Sequence, residues 1–143
     1  MTCPCNQKSS LAAINIAAQS IAANGVVNFS TNRIYTGISI QHTPGSSTIT
    51  LTKPGLYLIA FDGDFTIGTT GAVTFKLQNN GVDVPAAEST IQATAAVPVG
   101  INFVALIKVE PSCCVVNNAA NLQVVGSATG SLANANITVV KQA

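Results

Sequence analysis

The chain has 143 residues, six Lys and Arg against five Asp and Glu, and only 8% charged residues, where about 25% is usual for a soluble protein. A net charge of +1 supplies no field to draw it to nucleic acid or anionic lipid, and its apolar runs, such as 103–107, fall far short of the ~20 residues that cross a bilayer. One domain fits the length, and a surface made of Asn, Gln, Ser and Thr does little to keep copies apart.

Taken in chain order, residues 1–10 ("MTCPCNQKSS") carry no periodicity and read as a flexible connector arm, with the folded domain spanning 11–143. They also lack the charged start and apolar middle of a secretory signal. Residues 11–23 fit a helix through Leu11, Ile14, Ala18 and Ile21, or a strand through the alternation of Ile14 and Ile16. The strand agrees with everything downstream. "RIYTGISIQH" (33–42) alternates, setting Ile34, Ile38 and Ile40 on one face, and 47–52 aligns Ile49 with Leu51. A Pro-Gly turn opens the long strand 53–67, whose odd positions Tyr57, Ile59, Phe61, Phe65 and Ile67 form one apolar face. Its even positions begin apolar (Leu56, Leu58, Ala60) and end with Asp62 and Asp64, so its first half is expected to be covered on both faces.

"GTTG" (68–71) turns the chain into a strand with Val73, Phe75 and Leu77 inward, and Asn80-Gly81 marks a tight hairpin, because both residue types accept positive φ. A softer strand is expected near 86–96. Residues 99–110 alternate through Val99, Ile101, Phe103, Ala105, Ile107 and Val109, and strands at 114–116, 121–128 and 136–142 close the chain. Eight to ten short strands without a convincing helix after residue 23 predict an all-β, antiparallel sandwich or barrel.

Catalytic chemistry finds little support. The single histidine, His42, ends a strand, and no nucleophile-elbow, zinc-protease or phosphate-loop motif is present. Asp62 and Asp64 share a strand face, yet calcium takes six to eight oxygens and the chain has three other acids. They read as a solvated strand end. No catalytic residue, metal or cofactor is expected, and the protein is read as a non-enzyme.

The order of elements carries a resemblance. A strand entered through Pro-Gly-x-Tyr, the "KLQNNGVDV" hairpin, the long "INFVALIKVE" strand and the closing "ANITVVK" resemble the complement-head/TNF-like jelly-roll family. Within it, the sequence looks nearest to the C-terminal domains of bacterial collagen-like spore-surface (exosporium) proteins and to spore appendage subunits. The resemblance spans about residues 11–143 and rests on Gly55, Tyr57, Phe61, Asn80 and Gly81. It implies a jelly roll of about ten strands, normally a tight trimer, with Leu56, Tyr57 and Leu58 at or beside the subunit contact. Two features depart from the family. No Gly-x-y stalk precedes the domain, and "EPSCC…NNAAN" replaces the acidic turn before the penultimate strand.

The four cysteines carry the remaining information. Cys3 and Cys5 lie on the arm, and Cys113 and Cys114 are adjacent. Neither pair has the C-x₂₋₄-C spacing of a zinc site or the C-x-x-C of a redox enzyme. Buried free thiols would account for Cys113 and Cys114 but not for two cysteines on a polar arm. Closing either pair on itself is strained, since adjacent Cα atoms are 3.80 Å apart and bridged ones usually 4.4–6.8 Å. Arm-to-body bonds avoid this, within one chain or between copies, and a ten-residue arm reaches at most ~33–36 Å. Disulfides would form late in a spore-surface protein made in a reducing cytosol. The expectation is a self-assembling surface fibre or appendage subunit whose partner is itself, held to the cell or spore surface by an anchoring protein, with no nucleic acid or membrane partner. Two other classes stand beside it: a phage head-fibre, decoration or receptor-binding protein on a virion, and a lectin-like module contacting sugar through loops 43–48 and 117–121.

Overall fold

A computed structural model describes residues 8–111 and 119–143, which form two antiparallel sheets packed face to face. In chain order the strands are β1 (Ser10–Asn15), β2 (Gln19–Ile21), β3 (Gly25–Val26), β4 (Thr31–Thr36), β5 (Ile40–Gln41), β6 (Ile49–Leu51), β7 (Gly55–Ile67), β8 (Gly71–Asn79), β9 (Val82–Ala93), β10 (Val99–Val109), β11 (Ala120–Gly126) and β12 (Gly130–Lys141). The first sheet runs β10-β7-β12-β1-β4, with β2 extending the β12 edge beyond β1; the second runs β5-β6-β11-β8-β9, with β3 on β11. No helix occurs among the described residues.

Alternation accounts for the long strands. Tyr57, Ile59, Phe61, Phe65 and Ile67 are all buried, as are Val73, Phe75 and Leu77 on β8 and Ile101, Phe103, Ile107 and Val109 on β10. Where the two inner faces meet, Phe61 packs on Phe103 and Phe75, at ring-centroid distances of 5.3 and 6.1 Å. Phe65 meets Phe75 edge-on at 5.0 Å. Gly130 is required by this packing, since a Cβ there would collide with the Thr66 carbonyl and the Phe65 ring. The β8–β9 hairpin turns through Asn80 and Gly81 at φ 52° and 81°, as the Asn-Gly pair predicts.

The expected continuous strand over 33–42 is broken. Gly37 turns with φ 76° against Ser9, leaving no room for a Cβ, and hands the chain from β4 in the first sheet to β5 in the second. Residues on different sheets cannot share a face. Ile34 therefore lies on the outside of the first sheet, Ile38 is 72% exposed on the turn, and only Ile40 enters the core. Twelve strands occur among the described residues, rather than eight to ten, because β2, β3 and β5 are only two or three residues long. The soft strand expected at 86–96 is β9, which starts at Val82 directly after the hairpin. Ser9 and Ser10, expected in the arm, belong to the sandwich: Ser9 is buried and its Oγ accepts from the Ser39 amide at 2.8 Å.

The strands give the sandwich two unlike ends. One holds Lys8, Gln142, the start of β7, the end of β10 and the Asn80-Gly81 turn. The other holds the turns 16–18, 22–24, 68–70, 94–98 and 127–129, none of which contains a charged residue.

Candidate assembly surface

Register converts the even positions of β7 into rows that cross the outer face of the first sheet. At one end Lys8 donates from Nζ to the Gln142 carbonyl (3.1 Å), Gln142 N donates to Leu56 O (2.7 Å), and Leu56 pairs with Lys108. The next row is Ser10, Val140, Leu58 and Leu106; after it come Ala12, Thr138, Ala60 and Val104, with Ile34 beyond Ala12. Last is Ile14, Asn136, Asp62 and Asn102. Leu106 and Val104 are 59% and 64% exposed, Leu56, Leu58, Ala60 and Val140 half-buried. A contiguous apolar band thus covers β10, β7 and Val140 of β12, bounded by Lys8 and Lys108 at one end and Asp62 at the other, with Ser10 and Thr138 at its side.

Leu56 and Leu58, singled out from sequence, lie in this band. Tyr57 between them does not: it is buried in its own chain's core, and its hydroxyl donates to the Lys53 carbonyl at 2.6 Å. Burial pushes that hydroxyl above its ordinary value of 10.0, and a hydrogen bond with the Ser39 side chain pulls partly against it. Leu56 and Leu58 are therefore the two of the three with surface to offer a neighbour. Sequence reading missed Val104 and Leu106, although β10 is apolar at both parities over 103–107 just as β7 is over 56–60.

The other candidates fall elsewhere. His42 is buried, its Nδ1 against Asn32 Oδ1 and its Nε2 2.9 Å from the Ser46 carbonyl, while Asn32 Nδ2 donates to His42 O at 2.9 Å. Both ring nitrogens are occupied by loop-holding contacts. Asp64 accepts from Asn134 Nδ2 at 3.0 Å, Asp62 stands exposed between Asn102 and Asn136, and no cluster of three metal-ligating side chains occurs among the described residues. Tyr35 is the one aromatic that reaches the surface; all five Phe are buried. Cys3, Cys5, Cys113 and Cys114, the strand expected at 114–116 and the loop residues 117–118 lie outside the described residues.

The outer face of the second sheet has a different character. Thr74 and Thr90 hydroxyls meet at 2.7 Å, Gln123 Nε2 donates to Ser47 Oγ and Thr48 Oγ1 at 3.0 and 3.1 Å, and Thr50 Oγ1 donates to Asn121 Oδ1 at 3.0 Å. Lys76 Nζ and Gln78 Nε2 both donate to Asp83, each at 2.9 Å. Led by the bond from Lys76, these contacts hold the Asp83 carboxyl below its ordinary value of 3.8.

No protein-family model matches the sequence, and no curated protein does. Solved structures do match its fold. The globular domain of zebrafish complement 1qA superimposes with a TM-score of 0.70 at 11% identity, covering 96% of this chain and 98% of that one. Murine APRIL gives 0.66 at 11% identity, over 95% of this chain and all of the other, and PRD1 vertex protein P5 gives 0.60 at 19%, over 94% and 97%. The fold is an all-β, antiparallel jelly-roll sandwich of the TNF/complement-head type.

Proposed function

We propose that this protein is a non-enzymatic structural subunit that associates with copies of itself through the outer face of the first sheet and builds a surface fibre or appendage. The carrying observation is the band of Leu56, Leu58, Val104, Leu106 and Val140 on a chain whose other apolar residues mostly line its core. Burying it against a copy contributes roughly 25 cal/mol per Å² of apolar area, and the sparse charge of the chain offers little repulsion. The jelly-roll resemblance adds a trimer as the expected assembly and a spore surface as the expected location.

Within this reading Cys3 and Cys5 are connector thiols, with Cys113 and Cys114 as acceptors on the next subunit. The roots of the two segments support the pairing. Lys8 and Lys108 stand in one row, three strand spacings apart, which is about 14–15 Å at ~4.8 Å per spacing. Cys5 is three residues before Lys8 and Cys113 five after Lys108. A copy seated on this sheet would bring its own arm into the same neighbourhood.

Gel electrophoresis of native material tests the linkage. A ladder of multimers that collapses on reduction, and is lost in Cys3→Ser/Cys5→Ser, is the expected result. A reductant-insensitive single species would instead favour the virion or sugar-binding readings.

A further inference from the structure

We infer that the chain carries a self-acting modification site at Asn24. In the folded protein its side-chain amide is converted to a carboxylate through attack by the Gly25 nitrogen, while the second Asn-Gly pair, Asn80-Gly81, is held back by its neighbours. The inference goes beyond self-association and does not depend on it.

The sequence contains two Asn-Gly pairs, 24–25 and 80–81. Such pairs are open to internal attack, because glycine has no Cβ to obstruct the approach of its backbone nitrogen to the preceding side chain. The Gly25 nitrogen forms a bond to Cγ of Asn24, and the side-chain nitrogen leaves as ammonia with the proton that the attacking amide gives up. The five-membered succinimide then takes up one water. Opening at Cγ yields aspartate, and opening at the main-chain carbonyl yields isoaspartate. Either way an amide becomes a carboxylate, and water is the one other reactant.

The two sites match in backbone and differ in side chain. Both asparagines are exposed and sit in tight turns with positive φ, 61° at Asn24 and 52° at Asn80. Asn80 is tied at both atoms of its amide: Oδ1 accepts from Asn121 N at 3.1 Å and from Asn121 Nδ2 at 2.9 Å, and Nδ2 donates to the Ala119 carbonyl at 3.4 Å. Its main chain is tied to the same residue, Asn80 N donating to Asn121 O at 2.9 Å, and Asn121 Oδ1 is fixed in turn by Thr50 Oγ1 at 3.0 Å. Cγ of Asn80 swings toward Gly81 only by giving these bonds up. The Asn24 side chain has no hydrogen bond among the described residues. What holds its turn is the Gly25 amide, which donates to Ala22 O at 2.8 Å. One backbone bond in an exposed turn opposes attack at Asn24, against three side-chain bonds at Asn80. That difference corresponds to about tenfold or more in rate.

The product matters because of where Asn24 lies. The turn 22–24 belongs to the end of the sandwich whose turns contain no charged residue, and a carboxylate there is ionised at neutral pH. One added negative charge takes the net charge from +1 to zero. Old copies then differ from new ones at one end only, with no enzyme required to mark them.

The test is mass spectrometry of the full chain aged at mildly alkaline pH, either folded in buffer or unfolded in guanidinium. Trypsin separates the sites, since Lys8, Arg33, Lys76 and Lys108 place Asn24 in fragment 9–33 and Asn80 in fragment 77–108. Fragment spectra then locate the converted residue. In the folded chain Asn24 should convert about tenfold or more faster than Asn80, and in guanidinium the two should convert at like rates. Asn121→Ala, with its fold checked by thermal melt, should speed Asn80 about threefold or more and leave Asn24 at its wild-type rate. Equal rates in the folded wild type, or a faster Asn80, would overturn the inference. An Asn24 that stays intact when folded, an Asn80 unmoved by a folded Asn121→Ala, or the same imbalance in guanidinium would do so too. If Asn121→Ala does not fold, the wild-type comparison decides alone. Self-association is read separately, by the gel.

Discussion

The two sheets share one core and present opposite exteriors. On the second sheet the outward side chains satisfy each other: Thr74 with Thr90, Gln123 with Ser47 and Thr48, Lys76 and Gln78 with Asp83. On the first sheet the outward side chains of β7 and β10 are apolar over two rows, Leu58 with Leu106 and Ala60 with Val104, joined by Val140 of β12, and have no partner of that kind in their own chain. The difference lies in how each exterior is finished: one bonds its polar groups internally, and the other carries exposed apolar rows, the surface proposed above for self-association.

Removing what the two sheets share should have the largest effect. Phe61→Ala empties the junction of Phe29, Phe75 and Phe103 and should cost about 3–5 kcal/mol. Urea unfolding would show a single transition displaced for the whole domain; loss confined to one sheet would break the view of a common core. Next comes the contrast itself. Leu106→Asp should weaken association tenfold or more, while Thr90→Asp on the opposite exterior leaves the sedimenting mass unchanged. Equal effects from both would erase the distinction between the faces. Smaller again, Gln123→Ala should cost about 1 kcal/mol through its lost hydrogen bonds, seen in the urea midpoint, with association unaffected.

The smallest effects concern pH. Tyr57 is raised, so its contribution is complete below about pH 10.0. As pH rises past that value the unfolded hydroxyl ionises before the folded one, and stability falls. Tyr57→Phe should abolish this alkaline slope between pH 9 and 11 in urea titrations. Asp83 has the opposite sign: its carboxyl is lowered, so what it contributes is present above about 3.8 and fades as acid protonates the folded group. Asp83→Asn should slightly flatten the acid limb and leave the alkaline one untouched.

Much of the fold was legible. Period-two alternation alone gave β7, β8 and β10 with their inward residues, and Asn80-Gly81 gave the hairpin, because both signals are local. The break at Gly37 was not legible, since what demands it is Ser9, packed there from a distant part of the sequence. The candidate surface was half legible for the same reason. Leu56 and Leu58 stood out within one strand, but Val104, Leu106 and Val140 join them only through register between strands, and register is not written in any single segment. Tyr57 was drawn into the contact by its neighbours' company, although alternation already turned it inward.

The unlike ends of the sandwich have a practical consequence. The roots of both cysteine-bearing segments lie at one end, and the uncharged turns at the other. A fluorophore, epitope or fused enzyme inserted in the turn 94–98 would therefore ride at the end opposite Lys8 and Lys108, the roots of both segments, and off the outer face of the first sheet. The molecule comes with its own display position, and cargo placed there should be carried on any assembly the chain makes without disturbing how it is made.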